Sequence, residues 1–176
     1  MKRTVDSLTD LQGRTVLVRV DFNVPIEDGL ITDDSRIRGA LPTLRHLLGQ
    51  GAKVVLCAHL ERPQDEPIEN WPAFSLKPAA ARLAELLGQE VKFAPNCVGK
   101  ATEEAKANLA AGEVLLLENT RFHSGEEWNS PDFAKSLAAG CEIFVNDAFG
   151  AIHRAHGSTV GVTAFLQPCV MGFLVQ

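Results

Sequence analysis

At 176 residues and 45% hydrophobic content, the chain is long enough to bury one substantial core. A net charge of -5 and a pI near 5.5 argue against a general nucleic-acid or membrane surface, so any basic character has to be local. Cys57, Cys97, Cys141 and Cys169 are scattered without a C-x-x-C pair, and there is neither a signal peptide nor an apolar run of about 18 residues; the expectation is a reducing cytoplasm.

The first apolar run, TVLVRV at 15–20, reads as a strand covered on both faces, and Asp21 and Asn23 follow it directly. Behind the start signal Asp33-Asp34-Ser35, the residues Ile37, Leu41, Leu44 and Leu48 share one helical stripe that ends at Gly49; Pro42 is expected to kink or delay this helix. A second strand, KVVLCA at 53–58, leads into His59 and Arg62. Residues 61–74, with Pro63, Pro67, Trp71 and Pro72, read as one long irregular loop. A helix is expected over Leu76–Leu87, with Ser75 as N-cap and Gly88 past its end.

Further strands are expected at 91–93, 114–117, 143–146 and 170–175, with an Ala-rich helix over Thr102–Ala110 between the first two. Another helix carries Ser130 as cap, Pro131 in its first turn and Gly140 at its exit. Strand-like and helix-like patterns thus alternate from end to end, which is the signature of βαβ units. The predicted class is α/β: a Rossmann-like, three-layer αβα fold with a mainly parallel six-stranded sheet, formed by residues 1–176 as one domain.

In such a sheet the carboxyl ends of the strands share one rim, where ligands bind. Four strand exits here carry groups suited to an anion: Asp21, Asn23 and later Arg36; His59 and Arg62; Arg121; and Asn146, Asp147 and Arg154. No G-x-x-x-x-G-K-[ST] occurs, and Gly49 and Gly51 precede a strand instead of following one, so an anion would be gripped mainly by side chains. Arginine suits this because its planar fork makes two parallel hydrogen bonds to carboxylate or phosphate. Simpler readings stand beside these: Asp21 and Asn23 as caps of the turn at Pro25, His59 as a packed histidine, single arginines as solvated loop residues. His153 and His156 share a helical face as in some metal sites, but no carboxylate pair supports them, so no metal is expected.

VLVRVDFNVP (16–25), DDSRIR (33–38), H-L-x-R-P (59–63), LLLEN-x-RFH-x-GEE (115–127) and VNDAFG-x-x-HRAH (145–156) together resemble the signature blocks of the phosphoglycerate kinases, and specifically their amino-terminal half. The resemblance implies reversible phosphoryl transfer between ATP and 3-phosphoglycerate, giving ADP and 1,3-bisphosphoglycerate. It implies Asp21 and Asn23 at the glycerate portion, Arg36 as the catalytic residue beside its carboxylate, and His59, Arg62, Arg121 and Arg154 around the 3-phosphate. Mg-ATP or Mg-ADP would be bound by a carboxy-terminal domain that this chain lacks, leaving no cofactor site here and the isolated chain inactive.

Three departures stand out: Glu61 where the family carries glycine, Thr120 where an aliphatic residue is usual, and Ala151-Ile152 in place of Thr-Ala. Two other functions remain open. One is a non-catalytic anion-binding module of the same fold, which Glu61 favours. The other is an unrelated metal-dependent hydrolase using His59, His153, His156 and Asp147.

Overall fold

Val16, Val18 and Val20 point to one side of the first strand and Leu17 to the other, and all are buried; both faces of this strand must therefore be covered. The computed structural model, which describes residues 3–176, provides that cover. Strand β1 (Thr15–Val20) sits inside a six-stranded sheet with β4 (Lys53–Cys57), β5 (Val91–Ala94), β6 (Val114–Leu117), β7 (Ile143–Asp147) and β8 (Cys169–Met171), in the order β5-β6-β4-β1-β7-β8. Every pairing is parallel, with Thr15 against Lys53 and Val16 against Ile143 at the centre. Helices α1 (Ser35–Gly49) and α2 (Lys77–Leu87) supply Ile37, Leu44 and Leu83 to the core on the Val18 face. On the Leu17 face lie Leu109, which follows α3 (Lys100–Ala107), and Phe133 and Leu137 of α5 (Pro131–Ala138). The result is the expected three-layer α/β fold.

Several local expectations are corrected. Helix α1 runs unbroken through Pro42. A proline inside a helix costs about 3 kcal/mol or more, but burial of Ile37, Leu41, Leu44 and Leu47, at roughly 1.5–3 kcal/mol each, outweighs it. Helix α2 starts after Leu76, because Glu118 from the end of β6 takes the capping role: its carboxylate accepts the Leu76 N–H at 2.8 Å and the Ser75 hydroxyl at 2.6 Å. Ser75 retains a weaker part, accepting the Lys77 N–H at 3.2 Å. Helix α3 begins two residues early and stops at Ala107. Strand β8 ends at Met171, short of residue 175: Gly172 still donates to the Asn146 carbonyl at 2.9 Å, but after it the chain turns, with the Val175 and Gln176 N–H groups bonding back to the Gly172 carbonyl at 3.2 Å.

The 61–74 segment is more regular than expected, with 3-10 turns at Pro63–Asp65 and Ile68–Phe74. Two further elements went unread in the sequence. One is the hairpin of β2 (Ile26–Glu27) and β3 (Leu30–Ile31), whose Asp28 and Gly29 take φ of 49° and 77°, the Asp-Gly turn of a two-residue hairpin. The other is a single helical turn, α4 (Ser124–Glu127). Among the described residues no helix is long and apolar enough to cross a membrane.

Candidate active site at the carboxyl rim

The seven candidate residues all lie past the carboxyl ends of β1, β4, β6 and β7, or in the first turn of α1, and they fall into two groups joined through residues 21–23. In the first group, Arg36 Nη1 donates to Asp21 Oδ2 at 2.6 Å. Asp21 is almost wholly buried while Arg36 is half exposed, so the carboxylate anchors a guanidinium whose outer edge faces a cavity of about 290 Å³ lined also by Ser35, Gly39, Phe149, Gly150 and Leu174. A Cβ on Gly150 would lie 2.5 Å from Asp21 Oδ2 and 3.3 Å from Arg36 Nη1; the missing side chain is what lets the backbone close over this pair.

The second group lines a cavity of about 400 Å³ formed by Asn23, His59, Arg62, Arg121 and Arg154, with Glu61, Asp65, Glu66 and Phe74. Three cations meet three carboxylates here. Arg62, Glu61, Asp65 and Glu66 are all exposed, whereas Arg121 is buried and Arg154 half-buried, so the mouth carries both signs and the deepest part of the wall is basic. Asn23 thus lines the same cavity as the three arginines, whereas Asp21 lines the neighbouring one.

Arg121 is held by the backbone it supports. It is 2% exposed, its Nη1 donates to the Glu61 carbonyl at 2.6 Å, and its own carbonyl accepts from Gln64 Nε2 at 2.8 Å. Glu127 approaches Nη2 at 3.2 Å, an ion pair without hydrogen-bond alignment, and both Nε and Nη2 have no hydrogen-bond partner. An unpaired buried donor costs on the order of 1–3 kcal/mol, so these nitrogens favour an anion brought within reach. Burial itself lowers the Arg121 pKa, an effect that Glu127 opposes.

The sequence reading did not single out Arg19, Glu126, Ser158 or Asn119. Arg19, on β1, is fully buried at the rim; its Nε donates to Ser158 Oγ at 2.8 Å and its Nη2 to His59 Nδ1 at 2.7 Å. The buried Glu126 accepts from the Ser158 N–H at 2.8 Å, from the Ser158 hydroxyl, and from Thr120 Oγ1 at 3.3 Å. Thr120 therefore has a polar task, which accounts for a hydroxyl at that position. Asn119 accepts the Leu60 N–H at 3.2 Å and donates to the Leu60 carbonyl at 2.7 Å and the Phe74 carbonyl at 3.0 Å, fixing both ends of the 61–74 segment. The available signal for Arg19 was a charge inside an otherwise apolar strand.

A wider groove of about 640 Å³ lies between the hairpin and α1 and α2, but its cations are already paired, Arg38 with Asp34 and Arg82 with Asp34 and Glu85, and its remaining charge, Asp33, accepts the Ser35 N–H at 2.8 Å. Among the described residues no group of three or more His, Cys, Asp or Glu side chains is placed to hold a metal ion. Asp147 in particular is buried, with its Oδ1 accepting the Leu174 N–H at 2.9 Å. The hydrolase set of His59, His153, His156 and Asp147 is therefore not gathered into one centre.

A parallel α/β sheet with a basic cavity and an arginine-carboxylate pair along its carboxyl rim defines the class: an α/β protein with an arginine-lined cleft at the carboxyl ends of its strands. Residues 5–176 match the family model for phosphoglycerate kinase. The chain is 57% identical over 175 residues to a phosphoglycerate kinase of Akkermansia muciniphila and 55% identical over 178 residues to the cytosolic enzyme of Triticum aestivum, covering 99% of this chain and 42% and 43% of theirs. Structures of phosphoglycerate kinases from Coxiella burnetii and Pyrococcus horikoshii superpose with TM-scores of 0.86 and 0.87 at 36% and 35% identity, again over 99% of this chain and 42% and 43% of theirs. The chain belongs to the phosphoglycerate kinase family and spans less than half the length of these relatives.

Proposed function

We propose that this chain is the amino-terminal, 3-phosphoglycerate-binding part of a phosphoglycerate kinase acting in the cytoplasm in glycolysis, gluconeogenesis or carbon fixation. The observation that carries this reading is the convergence of His59, Arg62, Arg121 and Arg154, from three separate strand exits, on one cavity whose deepest cation has two unpartnered nitrogens. In this reading these residues and Asn23 hold the remote 3-phosphate, and Arg36, oriented by Asp21, faces the carboxylate. Binding energy spent on the unreacting phosphate then fixes the carboxylate for attack.

In the reaction, a carboxylate oxygen of 3-phosphoglycerate forms a bond to the γ-phosphorus of ATP while the bond to the β-γ bridging oxygen breaks, releasing ADP. Phosphoryl transfer needs positioning and neutralisation of charge on the moving group, and the exposed edge of Arg36 supplies that charge. In this reading the nucleotide and its magnesium are held by the carboxy-terminal part of such a kinase, and residues 1–176 by themselves do not transfer phosphate. The test is a titration with 3-phosphoglycerate without ATP, followed by amide NMR. Shifts centred on Asn23, Arg36, Arg62, Arg121 and Arg154, weakening as salt rises, are expected; shifts confined to residues 100–112 would put the ligand elsewhere.

A second reading, a non-catalytic anion-binding module, draws on Glu61, whose carboxylate lies at the mouth of the cavity. Joining the partner domain separates the two readings, since only the first expects phosphoryl transfer to appear.

A further inference from the structure

Arg19 lies behind the anion cavity and does not line it, yet it is fully buried and each of its three nitrogens has a hydrogen-bond partner. Nε goes to Ser158, Nη1 to the Val20 carbonyl at 2.5 Å, and Nη2 to His59 Nδ1 at 2.7 Å. Ser158 is fixed in turn by the buried carboxylate of Glu126, which accepts from its N–H and its hydroxyl. The guanidinium is thus locked on three sides, with Glu126 as a carboxylate one hydroxyl away. A locked fork presents a fixed N–H to the imidazole.

The geometry points to Arg19 as a positioning residue that dictates the tautomer of His59: an arginine can only donate, so the nitrogen it meets must accept, and the ring proton is confined to Nε2, the one donor left for an anion in the cavity. The histidine then works as a neutral hydrogen-bond donor, and the positive charge on the phosphate comes from the arginines alone. The groups facing the ring agree with this. Arg19 from β1, Arg121 from the turn after β6, and Arg154 and His156 from the segment after β7 all disfavour a charged imidazole, and together with burial, the largest cause, they push its pKa down to about 2. The role of Arg19 in ligand binding rests on the function proposed above; its control of the tautomer does not.

The test is nitrogen-15 NMR of the histidine-labelled chain without ligand, with His59 assigned from a His59→Gln sample. Wild type should show Nδ1 bare and Nε2 protonated from pH 8 to pH 5, with no titration. Arg19→Met removes the donor: His59 should become a tautomer mixture, titrate closer to its ordinary value, and bind 3-phosphoglycerate at least tenfold more weakly at pH 8. Arg19→Lys keeps one donor and the charge and should restore the bare Nδ1, which a merely structural role would not predict. A wild-type His59 protonated at Nδ1, or titrating near pH 6.5, overturns the inference. So does a folded Arg19→Met chain whose His59 spectrum is unchanged. Should Arg19→Met not fold, the wild-type and Arg19→Lys spectra decide. Failure of the wild-type chain to bind 3-phosphoglycerate would overturn the proposed function alone, because the ring spectrum is read without ligand.

Discussion

Arg121 and Glu61 are joined through the backbone: the buried guanidinium donates to the Glu61 carbonyl at 2.6 Å, while the Glu61 N–H donates to Asn23 Oδ1 at 2.9 Å. Holding both bonds places Glu61 at φ 51°, the left-handed region where a side chain is strained and glycine is not. The demand for glycine here is therefore conformational, set by two fixed partners that hold the peptide groups on either side of one Cα.

Glu61→Gly should relieve that strain, raising stability by about 1 kcal/mol less the extra chain entropy of glycine, a net gain of a few tenths. It should also tighten 3-phosphoglycerate binding. At an effective dielectric near 20, a like charge about 8 Å from the ligand costs roughly 2 kcal/mol before screening, so a gain of about 1 kcal/mol or less is expected at low salt. No ion pair of Glu61 with Arg62 or another cation occurs within 4.0 Å among the described residues, so nothing already neutralises this carboxylate. Calorimetry and urea unfolding of the two chains check both parts; equal affinity would make Glu61 a neutral loop residue.

The strands were legible because burial on both faces forces unbroken apolar runs, as in VLLL at 114–117, whose residues are all buried. The rim was legible because Arg62, Arg121 and Arg154 each follow such a run. What escaped was chemistry that depends on who faces whom. Arg19 is one polar residue inside TVLVRV, and only the pairing of β1 with β4 and β7 brings it beside His59 and Ser158. Glu118 caps a helix that lies more than forty residues earlier in the chain, a contact no local pattern encodes. The Asp28-Gly29 hairpin was a local signal that the α/β reading passed over.

Acid should destabilise the fold through His59. Its folded pKa is lowered, to about 2, so below pH 6.5 the unfolded chain takes up a proton that the folded chain refuses, and stability falls as pH drops. From pH 7.5 to 5 the loss from this residue alone is about 2 kcal/mol. His123 and His156, also lowered chiefly by burial, act in the same direction. His59→Asn should remove about one proton from the pH slope of the unfolding free energy in urea; an unchanged slope would mean that His59 titrates in the fold as it does in the unfolded chain.

Asp147 works with the opposite sign. Burial raises its pKa to about 6, against hydrogen bonds from Thr43 and Leu174 that favour the charged form. The folded state therefore holds a proton that the unfolded state releases between about pH 4 and 6, and stability contributed here is lost as pH rises through that window. Its Oδ1 anchors Leu174, its Oδ2 has no partner, and a Cβ on Gly172 would lie 2.1 Å from Oδ1. Asp147→Asn keeps the acceptor and removes the charge; it should stabilise the chain by about 2 kcal/mol at pH 7.5 and by little at pH 4. A loss of stability at pH 7.5 would show that the ionised carboxylate is needed to hold residues 172–174.

Arg36 is the residue whose loss should separate catalysis from affinity. Its anchor, Asp21 Oδ2, is buried, while the guanidinium itself is half exposed over the 290 Å³ cavity, so truncation removes no core contact but leaves the Asp21 carboxylate without its cation, which should also cost some stability. In this chain alone, Arg36→Ala should weaken 3-phosphoglycerate binding by about tenfold, one exposed charge-assisted hydrogen bond's worth, while Arg121→Ala, which removes a buried contact to Glu61 as well, should cost more and also lower stability. In the joined two-domain enzyme the order should reverse for turnover. Arg36→Ala should lower kcat by on the order of a thousandfold, by analogy with arginines that meet the moving phosphoryl group, and Arg121→Ala should act mainly on KM. The measurement is steady-state kinetics of both variants beside calorimetry of the single chain. If Arg36→Ala changes KM alone, its guanidinium meets only the ground-state carboxylate and the charge on the moving group is stabilised by the other domain.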